Sequence, residues 1–425
     1  MNRKKSVLVV AFALFSLFFG AGNLILPPQL GFKAGEWWWL VAAGFCISAV
    51  LIPILGILAH ARLQGTMFDF AKKVSPTFSL VYCYLVYAIS ISLPSPRTAS
   101  VTHEMGVAPL FNSSSLLTSL VYFLLVFVFV MNRSKILDII GKILTPAIIL
   151  ILLAVVGITL FSMDFNFGAS EFPNPFSHGI IEGYQTFDAI GAVVVGGVII
   201  ISINLKNQNV EYVQKRRLIA QAGWLAGLGL GLIYAGLIIT GALMGNEFSK
   251  DISRTALLSG ISFKTLGSTA NLFLSILVSL ACFTTAVGIV TGTADFIKGR
   301  FNNSKKAYTI TAILGCLLGI LMGQLNVGYI IQVALPVLMF IYPVTIALIL
   351  LNVIPEKYAS KTVFRCTVIT ALIFSVPDFL STIGFGDPIA PLKSWLPLAS
   401  FHMGWVLPTF VVFLVCNAVN SLRST

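Results

Sequence analysis

The first long apolar run of the chain, Ser6 to Leu30, is interrupted in its middle by Gly20-Ala21-Gly22-Asn23 and closed by Pro27-Pro28. It is long enough to cross a bilayer, which takes about 20 residues of helix. Inside hydrocarbon every backbone N–H and C=O must find a partner within the protein. An interrupted helix is therefore tolerated only where the freed groups face protein, water or a bound polar ligand. The break is the first candidate site.

The remainder of the chain repeats such runs. Of its 425 residues 57% are hydrophobic and 10% charged, with a mean hydropathy of +0.95, too little charge to coat a soluble protein of this length. The chain is an all-α polytopic membrane protein. Turn and charge signals predict twelve spans, approximately 6–30, 37–59, 77–95, 115–131, 143–163, 180–204, 222–245, 269–294, 307–323, 327–352, 363–380 and 396–418. Met1-Asn2-Arg3-Lys4-Lys5 imitates the start of a secretory signal, but the run behind it is too long, so it is read as an uncleaved first span.

Charge sets the orientation. With both termini cytoplasmic, all but six of the 27 basic residues fall on the cytoplasmic side, among them Arg133 and Lys135; the exceptions are Lys33, Arg97, Lys250, Arg254, Lys264 and Lys393. This is the positive-inside rule. The sequence pI near 9.5 therefore reports topology, and no basic cluster interleaved with aromatics suggests nucleic acid. The six cysteines sit in or beside apolar spans without C-x-x-C spacing, and the four histidines are scattered. No transition-metal ligand set or organic cofactor is expected.

A second interruption opens the sixth span, at Gly183-Tyr184-Gln185-Thr186-Phe187-Asp188-Ala189-Ile190-Gly191, with Gly196-Gly197 further along. Two broken spans in corresponding positions of two five-helix halves point to a binding site at the membrane midplane between inverted repeats. Gly315, Gly319 and Gly323, spaced as a double G-x-x-x-G, are read instead as helix packing. Half-helices meeting at a break offer N–H groups to a carboxylate and carbonyls to an ammonium group or small cation. The apolar residues beside the breaks, Phe19, Leu24, Phe187, Ile190 and Val194, predict an apolar ligand side chain.

Asp188 is the one acidic residue this reading places well inside a span. An intramembrane carboxylate is expensive and functional by default. Three roles stay open beside a structural cap or ion pair: receiving the ligand's ammonium, pairing with Arg97, and titrating a proton. An enzyme reading uses Gly384-Phe385-Gly386-Asp387, a G-x-G-D string of aspartyl intramembrane proteases, with Asp188 as the second carboxylate. Against it, Asp387 precedes Pro388 in a predicted outside loop with Asp378 and Pro391. A channel is the other rival; two breaks around a compact site favour alternating access over a continuous pore.

Three segments in order carry a resemblance: Gly20-Ala21-Gly22-Asn23-Leu24-Ile25-Leu26-Pro27-Pro28, then Pro96-Arg97-Thr98-Ala99 with Glu104-Met105-Gly106, then Tyr184-Gln185-Thr186-Phe187-Asp188-Ala189. They resemble the branched-chain amino acid:cation symporter family of bacteria, with Phe187 standing where the family pattern has methionine. The resemblance covers essentially the whole chain. It implies a LeuT-type fold in a single transport domain over 1–425, with inverted repeats at 6–163 and 180–352 and two peripheral helices at 363–418. It implies sodium-coupled import of leucine, isoleucine, valine or methionine across the cell membrane, with proton coupling as the alternative. The fifth span, Ile143 to Met163, holds no lysine that would replace sodium.

The implied substrate residues are Gly20, Ala21, Gly22, Asn23, Phe187, Asp188 and Gly191, the amides of Ala21 and Gly22 receiving the carboxylate. The implied sodium ligands are the carbonyls of Ser16 and Phe19, with Ala281, Thr284 and Thr285 from the A-x-x-[TS]-[TS] pattern Ala281-Cys282-Phe283-Thr284-Thr285. A hard cation takes about five or six oxygens, which carbonyls and hydroxyls supply without a buried charge. Threonines in membrane helices also bond back to a carbonyl one turn earlier.

Overall fold

Proline and glycine decide where the apolar runs bend. A computed structural model describes residues 3–132, 136–206 and 211–424, which are helical with no strand among them; Arg133 and Lys135 lie outside the described residues. The first run forms α1 (Arg3–Phe18) and α2 (Ala21–Ala34), with Phe19 and Gly20 outside both helices. Pro27-Pro28 do not close this run as expected: they lie inside α2. Within a membrane protein, neighbouring helices re-satisfy the carbonyls that prolines free.

The second run is α3 (Trp38–Cys46) and α4 (Ile52–Leu63), joined by a π-helical turn over Ile47–Leu51. Pro53 lacks an N–H and its ring crowds the carbonyl four residues back, so an extra residue is absorbed just before it. A short α5 (Met67–Ala71) leads to α6 (Pro76–Ser92) and α7 (Pro94–Thr102), and a second π turn, His103–Val107, ends the third run. That run was predicted to stop near residue 95; instead α7 carries Arg97 into the interior, 5% exposed.

Next come α8 (Ser115–Asn132), α9 (Ile136–Ser162), α10 (Pro175–Tyr184) and α11 (Asp188–Lys206). They are followed by α12 (Tyr212–Leu243), α13 (Arg254–Arg300), α14 (Lys305–Gly323) and α15 (Val327–Val353). The chain ends in α16 (Lys361–Thr382), α17 (Gly386–Trp395) and α18 (Val406–Ser424). A kink at Gly267, φ 80°, divides α13, and its first segment is a helix where the sequence predicted a loop. Among the described residues nine helical segments are long and apolar enough to cross a membrane, and Ser6–Phe18 and Val406–Leu422 are shorter apolar helices. Twelve were predicted. The numbers differ because Gly22–Leu63 runs as one segment, because the sixth run is divided between α10 and α11, and because Val406–Leu422 is short.

Glycines set the closest helix approaches. A Cβ on Gly31 of α2 would overlap the Ile238 carbonyl of α12, and one on Gly241 of α12 would overlap the Pro28 carbonyl of α2. The same reciprocity joins α3 to α10: Gly44 faces the Phe176 carbonyl and Gly179 faces the Val41 carbonyl. Gly315, Gly319 and Gly323 pack against Ile91, Phe123 and Ser119, as the G-x-x-x-G reading expects. Gly196 and Gly197 do not loosen the sixth run; they make room for buried His60, whose Nε2 lies 2.9 Å from the Val193 carbonyl.

Candidate functional site

At the first break Gly20 is extended (φ −96°, ψ 169°). Its N–H donates to Phe18 O at 3.0 Å, and the Asn23 N–H donates to Gly20 O at 3.1 Å. In a continuous helix those two amides would close on the carbonyls of Ser16 and Phe19. The break thus releases both. At the second break the Gln185, Thr186 and Phe187 amides turn back three residues, to Glu182, Gly183 and Tyr184. Phe187 takes a left-handed φ of 61°, a conformation costing a non-glycine residue roughly 1–2 kcal/mol. The Gly191 N–H donates to Phe187 O at 2.8 Å and starts α11.

The two breaks touch. The Asn23 amide nitrogen donates to Asp188 Oδ2 at 2.6 Å and to the Tyr234 hydroxyl at 2.7 Å, and also reaches the Phe18 carbonyl at 2.5 Å. Asn23 therefore ties the end of α1 to the start of α11 and to α12. Arg97 makes the second tie: its Nη1 donates to Gln185 O at 2.8 Å, and its Cζ lies 5.3 Å from the Phe187 ring centroid. A Cβ on Gly22 would overlap its Nη2. Only a residue without a side chain lets the guanidinium lie against α2.

Around these contacts lies a cavity of about 370 Å³. Of the predicted residues, Gly20, Gly22, Asn23, Phe187, Asp188, Gly191, Ser16, Thr284 and Thr285 line it. Ala21 begins α2 between Gly20 and Gly22, and its side chain is not described. Phe19 and Ala281 stand back from the wall: the Phe19 ring packs on Phe15 at 5.0 Å, and the Ala281 carbonyl accepts from Thr284 at 3.0 Å and Thr285 at 2.9 Å. The Ser16 hydroxyl shares a 2.9 Å hydrogen bond with Thr145. In the apolar wall Phe187, Ile190 and Val194 take their expected places, and Leu17, Val101 and Ile289 join them. Leu24 does not line the wall; it is fully buried in the core that α2 shares with α12.

Two residues were missed by the sequence reading. Arg97 was read as part of a resemblance segment and as one possible partner for Asp188, beyond the predicted end of its span, yet it lines the cavity; the Pro94 and Pro96 that start α7 were the available signal. Asp378, assigned to the outside loop, is buried in α16 at 2% exposure. Its carboxylate pairs with Lys393 at 3.1 Å, and His402 Nδ1 lies 3.5 Å away. Asp188 is therefore not alone as a buried acid. α16 runs through Pro377 to Thr382 and so carries Asp378 with it. A second cavity is lined by Lys33, Glu104, Glu182 and Arg254, with Arg254 and Glu182 in an ion pair.

The architecture matches solved transporters. The inward-facing conformation of Mhp1 superimposes with a TM-score of 0.60 at 12% identity, over 98% of this chain and 91% of that one. MhsT in complex with L-phenylalanine gives a TM-score of 0.57 at 17% identity, over 96% and 97%. Two broken helices converging on a central cavity in this architecture define a LeuT-type fold with interrupted first and sixth spans.

The chain belongs to the branched-chain amino acid transport protein family, whose model matches residues 3–423. A branched-chain amino acid transport system 2 carrier protein of Pseudomonas aeruginosa is 32% identical over 97% of this chain and 96% of its own. The branched-chain amino acid permease BraB of Bacillus subtilis is 32% identical over 96% and 94%. The protein is thus a multi-pass membrane transporter rather than an enzyme. The G-x-G-D string is incidental, with Asp387 exposed in α17.

Proposed function

We propose that the protein imports leucine, isoleucine, valine or a similarly apolar amino acid by sodium-coupled symport with alternating access. The carrying observation is the meeting of two helix breaks at one small cavity whose remaining wall is largely apolar. The names of the Pseudomonas aeruginosa and Bacillus subtilis relatives support the substrate class. Phe187, Ile190 and Val194 would receive the side chain, while Asp188 and the start of α2 would receive the polar end. We place the protein in the bacterial cell membrane with both termini cytoplasmic, from the distribution of Lys and Arg. The repeats 6–163 and 180–352 and the peripheral pair 363–418 form its single domain in this reading.

Sodium is the proposed coupling ion. The released carbonyls of Ser16 and Phe19 supply oxygens on one side. On the other, Thr284 and Thr285 spend their hydrogens on the Ala281 carbonyl, which leaves their lone pairs free for a cation. A Cβ at Gly20 would lie 4.0 Å from Thr285 Oγ1, so α13 and the first break are near neighbours. Thr285→Ala and Thr284→Ala are each expected to raise the sodium concentration for half-maximal leucine uptake by about tenfold, since each removes one of about five or six ligands. Sodium titration of uptake checks this, and an unchanged midpoint in both variants removes the threonines from the ion site.

A Cβ on Gly191 meets nothing within 4 Å, so the cavity has room there that a side chain would fill. Gly191→Val is expected to lower leucine affinity about tenfold or more while sparing alanine. Equal affinities of the variant and the native protein for leucine would take Gly191 out of the side-chain pocket. The function as a whole is tested in proteoliposomes with labelled leucine under an inward sodium gradient, a proton gradient, or neither. Uptake driven by sodium alone supports the proposal; uptake driven only by protons transfers the coupling role away from sodium.

A further inference from the structure

We infer that Arg97 is the carboxylate-binding residue of the site, gripping the α-carboxylate of the transported amino acid with the edge of its guanidinium. The inference rests on the amino-acid reading above and deepens it. It gives the anionic end of the ligand a charged side chain, where that reading relied on the amides at the start of α2.

Arg97 is 5% exposed, and a guanidinium does not shed its charge on burial. It carries five N–H donors. One nitrogen, Nη1, is used by the Gln185 carbonyl. Among the described residues no carboxylate forms an ion pair with it: Oδ2 of Asp188 is held by Asn23, and Glu182 is held by Arg254. A bridge between the two breaks would need only a neutral donor to reach Gln185 O. The full charge, expensive at this depth, is explained by an anion that arrives with the ligand.

The cavity itself supports that anion's identity. Of the residues lining it, Arg97 is the one base and Asp188 the one carboxyl group. A ligand that is only an amine would give Arg97 no anion, and one that is only a carboxylate would give the Asp188 carboxyl no amine; a zwitterion supplies both. The guanidinium also lies against Gly22, at the amino-terminal and hence positive end of α2. Two independent sources of positive potential converge there. A carboxylate at that point can take charge-assisted hydrogen bonds from both. The ammonium then turns toward Asp188. The aliphatic end turns toward Ile190, Gly191 and Val194. Arg97 thereby fixes the direction in which the substrate lies.

The test compares L-leucine with L-leucinamide, of nearly the same shape but lacking the carboxylate charge, by competition against labelled leucine on purified protein. In R97Q the leucine affinity is expected to fall at least about 30-fold, a loss of roughly 2 kcal/mol at 1.4 kcal/mol per tenfold. Leucinamide affinity should change by less than about threefold, so that discrimination between the two ligands collapses. Equal losses for both ligands would mark Arg97 as a structural strut and overturn the inference, as would leucine binding of native strength. If R97Q does not fold, R97K carries the comparison. A larger loss for leucine than for leucinamide in R97K supports the inference, because a lysine keeps the charge without the fork; equal losses overturn it. Failure of the native protein to bind leucine would instead refute the amino-acid reading on which the inference stands.

Discussion

Gly22→Val is expected to reduce leucine binding by more than about 100-fold while leaving the protein inserted and monodisperse, a change of roughly 2.7 kcal/mol or more in binding. A Cβ at this position would occupy the space of Arg97 Nη2. The guanidinium cannot swing aside freely, because Nη1 is bonded to the Gln185 carbonyl and the group sits over the Phe187 ring. Displacing it forfeits a buried charged hydrogen bond, worth about 1.5–3 kcal/mol. It also pulls the two breaks apart at the point where the ligand's polar end is to lie. The β-branched side chain adds stiffness to backbone that must stay open. Equilibrium binding of labelled leucine, with gel filtration to confirm folding, measures the effect. Native affinity in this variant would remove the first break from the site.

Asn23→Asp changes hardly any volume and is expected to be more damaging than Asn23→Ala. The amide nitrogen of Asn23 faces three oxygens, those of Asp188, Tyr234 and the Phe18 carbonyl. A carboxylate there replaces a donor by an acceptor and sets two negative charges against each other in a buried site. Uncompensated buried charge typically costs about 3–5 kcal/mol. Loss of the amide to alanine leaves acceptors unpaired, at about 1–3 kcal/mol. Unfolding in detergent should therefore rank native above Asn23→Ala above Asn23→Asp. Adding Asp188→Asn to Asn23→Asp restores one carboxylate and one amide across the same gap, and the double variant should recover most of the lost stability. A double variant no more stable than Asn23→Asp would show that the two side chains do not act as a pair.

Much of this architecture was legible because membrane spans are written in long apolar runs and because glycine and proline punctuate them. The break at Gly20 to Asn23 is where helices α1 and α2 part, and the break before Asp188 is where α10 gives way to α11. Both were readable as polar and flexible residues in hydrocarbon. What escaped was decided by contacts between distant segments. Proline inside a membrane helix reads as a terminator, yet Pro27 and Pro28 are carried through because neighbouring helices accept the disturbed backbone. The burial of Arg97 was missed because its span was ended near residue 95, before the turn of helix that Pro94 and Pro96 start, and Asp378 was grouped with the neighbouring outside loop. Leu24 was placed on the cavity wall by its nearness in sequence to the break. The rotation of α2 against α12 turns it into the core instead.

The reciprocal glycine contacts carry a mechanical consequence. Because Gly31 and Gly241 bring the backbones of α2 and α12 together, and Gly44 and Gly179 do so for α3 and α10, neither α2 nor α10 can tilt without dragging a partner helix. On the other side of the second break, α11 is clasped through Gly56 against Ala192 and through Gly196 against His60. The exception is α1: a Cβ added to Gly229 of α12 would meet only the Phe15 ring, at 3.4 Å. Side chains on such a face can slide where interlocked backbones cannot. Of the four half-helices around the cavity, α1 is the lever arm, Phe19 and Gly20 are its pivot, and the Asn23 bond to Asp188 is the catch beside that pivot.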